Sequence, residues 1–209
     1  MRPVAALYVE EAGPYANLPN VDAWGESRDA RRYRGPHPIV AHPPCKRWGR
    51  YWGGGPSAKT PRILGDDGGC FAQALWAVRT FGGVIEHPEA SHAWRWFGLQ
   101  KPPHTGGWVR ADEFGGWTCC VAQGHYGHVS QKLTWLYAAW VRLPDLVWGR
   151  APGLVRFDEG FHSAGERSSA RAAGVPPRRR LTRAERLHTP QLFQQVLLQI
   201  ARTSQPRGS

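Results

Sequence analysis

Two short apolar runs, each broken off by histidine and proline, constrain this chain more than any other feature. Ile39-Val40-Ala41-His42-Pro43-Pro44-Cys45 and Val84-Ile85-Glu86-His87-Pro88-Glu89 share one design: an apolar stretch, then polar residues, then proline. Unbroken apolar runs of this length suit strands buried on both faces, and proline ends them because it cannot donate to a ladder. Between them, Asp66-Asp67-Gly68-Gly69 opens a helical pattern with Phe71, Leu75 and Val78 on one face, and Gly82-Gly83 closes it. Strand, helix, strand with tight glycine links is a βαβ unit, so strands over 38–42 and 83–86 are expected to lie parallel and near one another. In open parallel sheets ligands sit beyond the carboxyl ends of the strands, where Cys45 and Glu86 both emerge.

The remaining elements follow from the same signals. Residues 4–9 read as a first buried strand, joined to 38–42 by a passage of only about thirty residues through Gly13, Pro14 and Pro19. Residues 91–116, with Pro102-Pro103 and two Gly-Gly pairs, read as an elaborate loop. Trp117-Thr118-Cys119-Cys120-Val121 and Lys132 to Trp140 are two further apolar runs, suggesting an antiparallel edge on a mostly parallel sheet. Thr189 as N-cap and Pro190 at the first helical position introduce a last helix with Leu192, Phe193, Val196, Leu197 and Ile200 on one face. The expected organisation is one α/β catalytic core over 1–149, an arginine-rich loop or flexible segment over 150–187, a helix over 188–203 packing back on the core, and a disordered tail over 204–209.

Charge narrows the partners. With 27 Lys+Arg against 16 Asp+Glu the net charge is +11, and only four of the cations are lysines. Residues 151–209 hold ten arginines and four acids, or +6. Arginine's planar fork suits phosphates and base edges, so DNA or a nucleotide is the expected partner, although an arginine-rich codon bias would give the same excess. Arg178-Arg179-Arg180 is the clearest phosphate-binding run. Lys46-Arg47-Trp48-Gly49-Arg50-Tyr51-Trp52 alternates cations with aromatics beside Cys45, offering phosphate contacts through Lys46, Arg47 and Arg50 and a stacking face through Trp48. The plainer alternative is an ordered loop whose tryptophans pack on the body. No run of about 18 apolar residues and no signal peptide is seen, so no membrane association and a cytoplasmic setting, with four reduced cysteines, are expected.

Three segments together resemble the cytosine-C5 DNA methyltransferases, and more closely the small phage-encoded proteins of that kind. His42-Pro43-Pro44-Cys45 matches the Pro-Pro-Cys nucleophile loop, Ile85-Glu86-His87-Pro88 is similar to the Glu-Asn motif that follows a strand, and Tyr126-Gly127-His128-Val129-Ser130-Gln131-Lys132-Leu133-Thr134 resembles the Tyr-Gly-x-x-x-Gln-x-Arg-x-Arg segment. The likeness covers roughly residues 38–142 and 188–202. It implies a reduced Rossmann-like methyltransferase fold and pyrimidine chemistry on nucleic acid. In that chemistry Cys45 adds to C6 of a flipped-out base and Glu86 holds the N3 edge. Lys132 stands in a cationic position, Gln131 contacts the nucleic acid, and His42, Pro44, His87 and Tyr126 line the substrate loop. Lys46, Arg47 and Lys132 are expected to lower the thiol's pKa, and His87 to tune a proton shared by Glu86.

The resemblance also implies S-adenosylmethionine as donor, but the first strand runs into Glu10-Glu11-Ala12-Gly13-Pro14-Tyr15 without the family's Phe-x-Gly-x-Gly turn. Half of the cofactor site is therefore expected to be missing or rebuilt. Three functional classes remain. One is a pyrimidine-modifying enzyme. The second is a catalytically inactive module that binds nucleic acid or protein in a phage accessory or anti-defence role, with Cys45 an inert thiol and Glu86 a loop-capping acid. The third is a metal site drawn from Cys45, His42, His87, His92, His125, His128, Cys119 and Cys120, which shows no Cys-x-x-Cys or His-Glu-x-x-His spacing.

Overall fold

The computed structural model describes residues 1–54, 60–151, 164–174 and 181–205. Strands β1 (Val4–Leu7), β2 (Val21–Trp24), β3 (Ile39–Ala41), β4 (Gly83–Pro88), β5 (Val109–Arg110), β6 (Gly116–Ala122) and β7 (Leu133–Ala139) form one sheet in the order β2-β1-β3-β4-β7-β6-β5. Strands β2, β1, β3 and β4 are joined by parallel ladders, and β4, β7, β6 and β5 by antiparallel ones. The sheet is thus mixed, with parallel and antiparallel ladders evenly divided rather than mostly parallel. Strand direction is less evenly split: only β7 and β5 run against the other five.

Helix α1 (Cys70–Phe81) connects β3 to β4 and completes the βαβ unit, with Ile39, Val40 and Ala41 paired to Gly83, Val84 and Ile85. Side chains alternate across the sheet. Ala5, Leu7, Ile39, Ala41 and Ile85 face α1 residues Phe71, Ala74, Leu75, Ala77 and Val78, while Val4, Ala6, Val40 and Val84 face Phe193, Leu197, Leu198, Ile200 and Ala201 of the last helix, α5 (Gln191–Arg202). Both faces of the central strands are covered, which is why their sequences are apolar without alternation. Three short helices complete the described chain: α2 (His92–Trp96), α3 (Ala164–Ala172) and α4 (Arg183–Leu187).

Several expectations are corrected. Residues 21–24 form the edge strand β2 instead of loop, and the charged stretch before β3 holds a 3-10 turn at Ala30–Arg32. Residues 91–116 contain α2 and β5. Pro190 rather than Thr189 is the N-cap of α5, its carbonyl accepting the first helical bond from the Gln194 amide at 3.0 Å, while the Gln194 side chain donates to the Thr189 carbonyl at 2.6 Å. Leu192 lies outside the buried face, at 58 % exposure. Ser204, assigned to the tail, is buried, donates to the Phe81 carbonyl at 3.1 Å and accepts from Arg2. Residues 206–209 lie outside the described residues.

Asp67 ties the loop after Cys45 to α1. Its carboxylate accepts from the amides of Gly69 (2.9 Å) and Phe71 (2.8 Å) and from the buried indole Nε1 of Trp48 (2.7 Å). Asp67→Ala leaves those donors unsatisfied and is expected to cost about 2 kcal/mol in a denaturant titration. A loss too small to measure would show that the cap is dispensable.

Candidate active site

Strand β3 ends at Ala41, and the His42 amide still bonds to the Leu7 carbonyl at 3.0 Å before the two prolines end the ladder. The Cys45 carbonyl then accepts from the amides of Trp48 (3.0 Å) and Gly49 (2.8 Å). This tight turn leaves the thiol half-buried at the carboxyl end of β3. On β4 the strand alternation sends Glu86 and His87 to opposite faces of the sheet.

Glu86 is the centre of the polar cluster. His42 Nδ1 meets its Oε2 at 3.0 Å, Gln123 Nε2 donates to its Oε1 at 3.1 Å, and the other ring nitrogen of His42 meets the Tyr15 hydroxyl at 2.9 Å. Gln123 Nε2 also donates to Thr134 Oγ1 at 2.9 Å, and that hydroxyl donates to the Lys132 carbonyl at 3.2 Å. Burial alone would raise the Glu86 pKa, but the His42 hydrogen bond and the charges of Lys132, His42 and His87 bring it down to about 2. Glu86 is therefore an ionised carboxylate between two N–H donors.

Lys132 stands just before β7 in the left-handed region at φ 32°, an uncommon backbone conformation for a non-glycine residue. Its Nζ donates to the carbonyls of His188 (2.5 Å) and Leu187 (3.4 Å). Burial lowers its pKa, opposed by the charges of Glu86 and Cys45. The Cys45 thiol is pushed up, first by burial and then by the Glu86 charge, with Lys132 pulling the other way. Cys45, Glu86 and Lys132 thus lie close enough to feel one another's charge. Lys46 is exposed and Arg47 half-buried, and neither contributes to the thiol's shift; of the three cations expected to lower it, Lys132 alone acts on it.

Other expected site residues have different work. Trp48 is 2 % exposed and packs on Phe71, Trp96 and Phe97, so its ring cannot stack on a base; Tyr51, 61 % exposed, is the accessible aromatic of that loop. Arg50 lies 3.7 Å from Glu89 at the surface. Gln131 is buried, and its carboxamide is engaged at both ends with the backbone of Ala151, the amide donating to Oε1 at 2.9 Å and Nε2 donating to the carbonyl. It therefore holds Ala151 in place of contacting nucleic acid. The Tyr126 hydroxyl accepts from the Val147 amide at 3.2 Å and its ring packs on Phe193, a structural role away from the substrate loop. His87 faces α1, against Phe71 and Trp94, and does not share a proton with Glu86. Pro44 is exposed beside Cys45. Arg178, Arg179 and Arg180 lie outside the described residues.

Tyr15, Gln123 and Thr134 belong to the cluster and were not singled out in the sequence. Tyr15 carries no spacing signal; only the fold of the loop after β1 brings it to His42. That loop also decides how well a methyl donor fits. Its amides at Gly13, Ala16 and Leu18 bond to the carbonyls of Glu10, Gly13 and Tyr15, and Glu11 Oε1 reaches across to accept from the Ser27 amide, beyond the end of β2, at 2.7 Å. A glycine turn receives a ligand through free amides. Here those amides are spent on the loop itself and the Tyr15 ring is buried, so these residues do not fit S-adenosylmethionine.

Among the described residues, no three His, Cys, Asp or Glu side chains group as metal ligands, and no helix is long and apolar enough to cross a membrane. No protein-family model, curated protein or solved structure matches the chain.

Proposed function

We propose that this chain is a pyrimidine-modifying enzyme acting on nucleic acid or a nucleotide in the cytoplasm, built on a reduced Rossmann-like methyltransferase fold, with Cys45 as nucleophile. One observation carries the reading: a half-buried thiol, an ionised buried carboxylate and a half-buried lysine come together at the carboxyl ends of the adjacent parallel strands β3 and β4 and the start of β7. The Cys45 thiolate adds to C6 of the base, Glu86 holds the N3 edge, and the Lys132 ammonium stabilises the charge that develops on the ring. C5 becomes nucleophilic and takes a proton from water. Loss of the original C5 hydrogen and expulsion of the thiolate regenerate the base. This cycle balances without a donor, and an electrophile of another class at C5 would leave a modified base.

The expected result is exchange of the C5 hydrogen in D2O, followed by loss of the H5 proton signal from single-stranded oligonucleotides and mononucleotides carrying uracil or cytosine. Cys45→Ser is expected to reduce that exchange to background while leaving the circular dichroism unchanged. Full exchange in a folded Cys45→Ser protein would remove Cys45 from the chemistry. The raised thiol pKa favours a second reading, a module that binds nucleic acid without reacting. That reading predicts no exchange by the wild-type protein together with DNA binding that weakens steeply as salt rises.

A further inference from the structure

Resting on the assignment of Cys45, Glu86 and Lys132 to a pyrimidine, we propose that the base this site takes carries hydrogen on N3, so that it is a uracil rather than a cytosine. The hydrogen bonds at Glu86 lead to this choice. The Gln123 amide nitrogen donates to Glu86 Oε1 at 3.1 Å. The reverse amide orientation would set oxygen against carboxylate. Thr134 fixes the same orientation, because its hydroxyl gives its proton to the Lys132 carbonyl at 3.2 Å and so accepts from Gln123 at 2.9 Å.

The other carboxylate oxygen is held through a relay. A carboxylate only accepts, so His42 Nδ1 carries the hydrogen given to Glu86 Oε2 at 3.0 Å, while the ring's other nitrogen meets the hydroxyl of the buried Tyr15 at 2.9 Å. Both oxygens are thus acceptors, and the lone pairs that remain can only accept again. Opposite cytosine N3, itself a lone pair, this carboxylate is mismatched. Opposite the N3–H of uracil it makes a charge-assisted hydrogen bond.

The developing charge points the same way. Addition of the thiolate to C6 of cytosine requires a proton at N3, which an ionised Glu86 does not hold. Addition to uracil places the charge on O4, where a cation suffices, and Lys132 is the cation whose charge reaches both Cys45 and Glu86. Tyr15 and His42 are positioning residues in this scheme: they act on the base through the state in which they keep Glu86.

The test compares C5 hydrogen exchange in D2O by the full-length protein on two purine oligonucleotides that differ only in one central uracil or cytosine, with dUMP and dCMP run alongside. Uracil is expected to exchange at least about tenfold faster, the scale at which a buried polar site rejects a mismatched edge. Glu86→Gln, whose carboxamide can donate to N3, is expected to move the ratio toward cytosine. Equal or faster exchange of cytosine by the wild-type protein overturns this inference and leaves Cys45 in its role. Exchange of neither base overturns this inference together with the proposed function. Because the wild-type ratio decides the matter, the result stands even where Glu86→Gln does not fold.

Discussion

Gly83→Ala is expected to abolish the fold. A β-carbon at Gly83 would lie 2.0 Å from the Ile39 carbonyl oxygen and 2.6 Å from the Ile39 nitrogen, and the residue sits at φ +132°, which L side chains rarely adopt. The obstruction is backbone, so no side-chain rotation relieves it. Ile39 is also the register partner of Gly83 in the β3–β4 ladder, and its amide bonds to the Gly82 carbonyl at 2.9 Å. Making room means separating the two strands that carry Cys45 and Glu86. The expected cost exceeds about 4 kcal/mol, a large part of a typical domain's stability, and should appear as insoluble protein or loss of the cooperative thermal transition. Gly98→Ala is the control. Gly98 also has positive φ, at +67°, but nothing lies within 4 Å of its added carbon, so the cost is expected to stay near about 1 kcal/mol. A Gly83→Ala protein that melts like wild type would mean that β3 and β4 are not paired in this register.

His87→Leu is expected to stabilise the protein and to flatten its response to acid. The imidazole is wholly buried against Phe71 and Trp94, and neither ring nitrogen makes a hydrogen bond of normal geometry. Burial drives its pKa from 6.5 down to about 4, outweighing the opposing pull of Glu86, Asp67 and the Pro44 carbonyl. The unfolded chain therefore takes up a proton as pH falls below 6.5, while the folded chain does not until about pH 4. The stability that the neutral ring allows is full above pH 6.5 and declines through that window, by about 3 kcal/mol for a shift of this size. Leucine removes both the unsatisfied nitrogens and the titration. At neutral pH the variant should gain about 1 kcal/mol, and between pH 6.5 and 4 its melting temperature should fall less than that of wild type. A variant that is less stable at every pH would show that the contact of His87 with the Pro44 carbonyl outweighs the cost of burying the ring.

His87 also marks where the sequence was legible and where it was not. The βαβ unit could be read because its strands are covered on both faces, which makes 39–41 and 83–85 unbroken apolar runs, and because glycines bound the helix between them. That placed Cys45 and Glu86 at the carboxyl ends of neighbouring strands. Strand β2 escaped notice because it is four residues long, half-buried at the edge, and interrupted by Asp22, whose carboxylate bonds to Trp24 at 2.7 Å and Arg28 at 2.6 Å. Trp48 looked like a stacking platform because composition says nothing about direction: its indole turns inward to reach Asp67. Tyr15 and Gln123 lie 71 and 37 residues in sequence from Glu86, counted from 15 to 86 and from 86 to 123, and no local pattern announces a contact at that range.

The contacts of Lys132 have a consequence for the order in which the site is assembled. Cys45 and Glu86 are separated by a single helical crossover and can be brought together once β4 has been made. Lys132 is held by the carbonyls of Leu187 and His188, and the sheet face carrying Val40 and Val84 is covered by α5, which ends at Arg202. On the ribosome, where a chain emerges from its N-terminus, Cys45 and Glu86 can therefore meet long before Lys132 is locked into place. Closure waits for contacts between segments distant in sequence, the slow kind in folding. Cys45 thus meets Lys132 in its final setting only after the segment through His188 has been made.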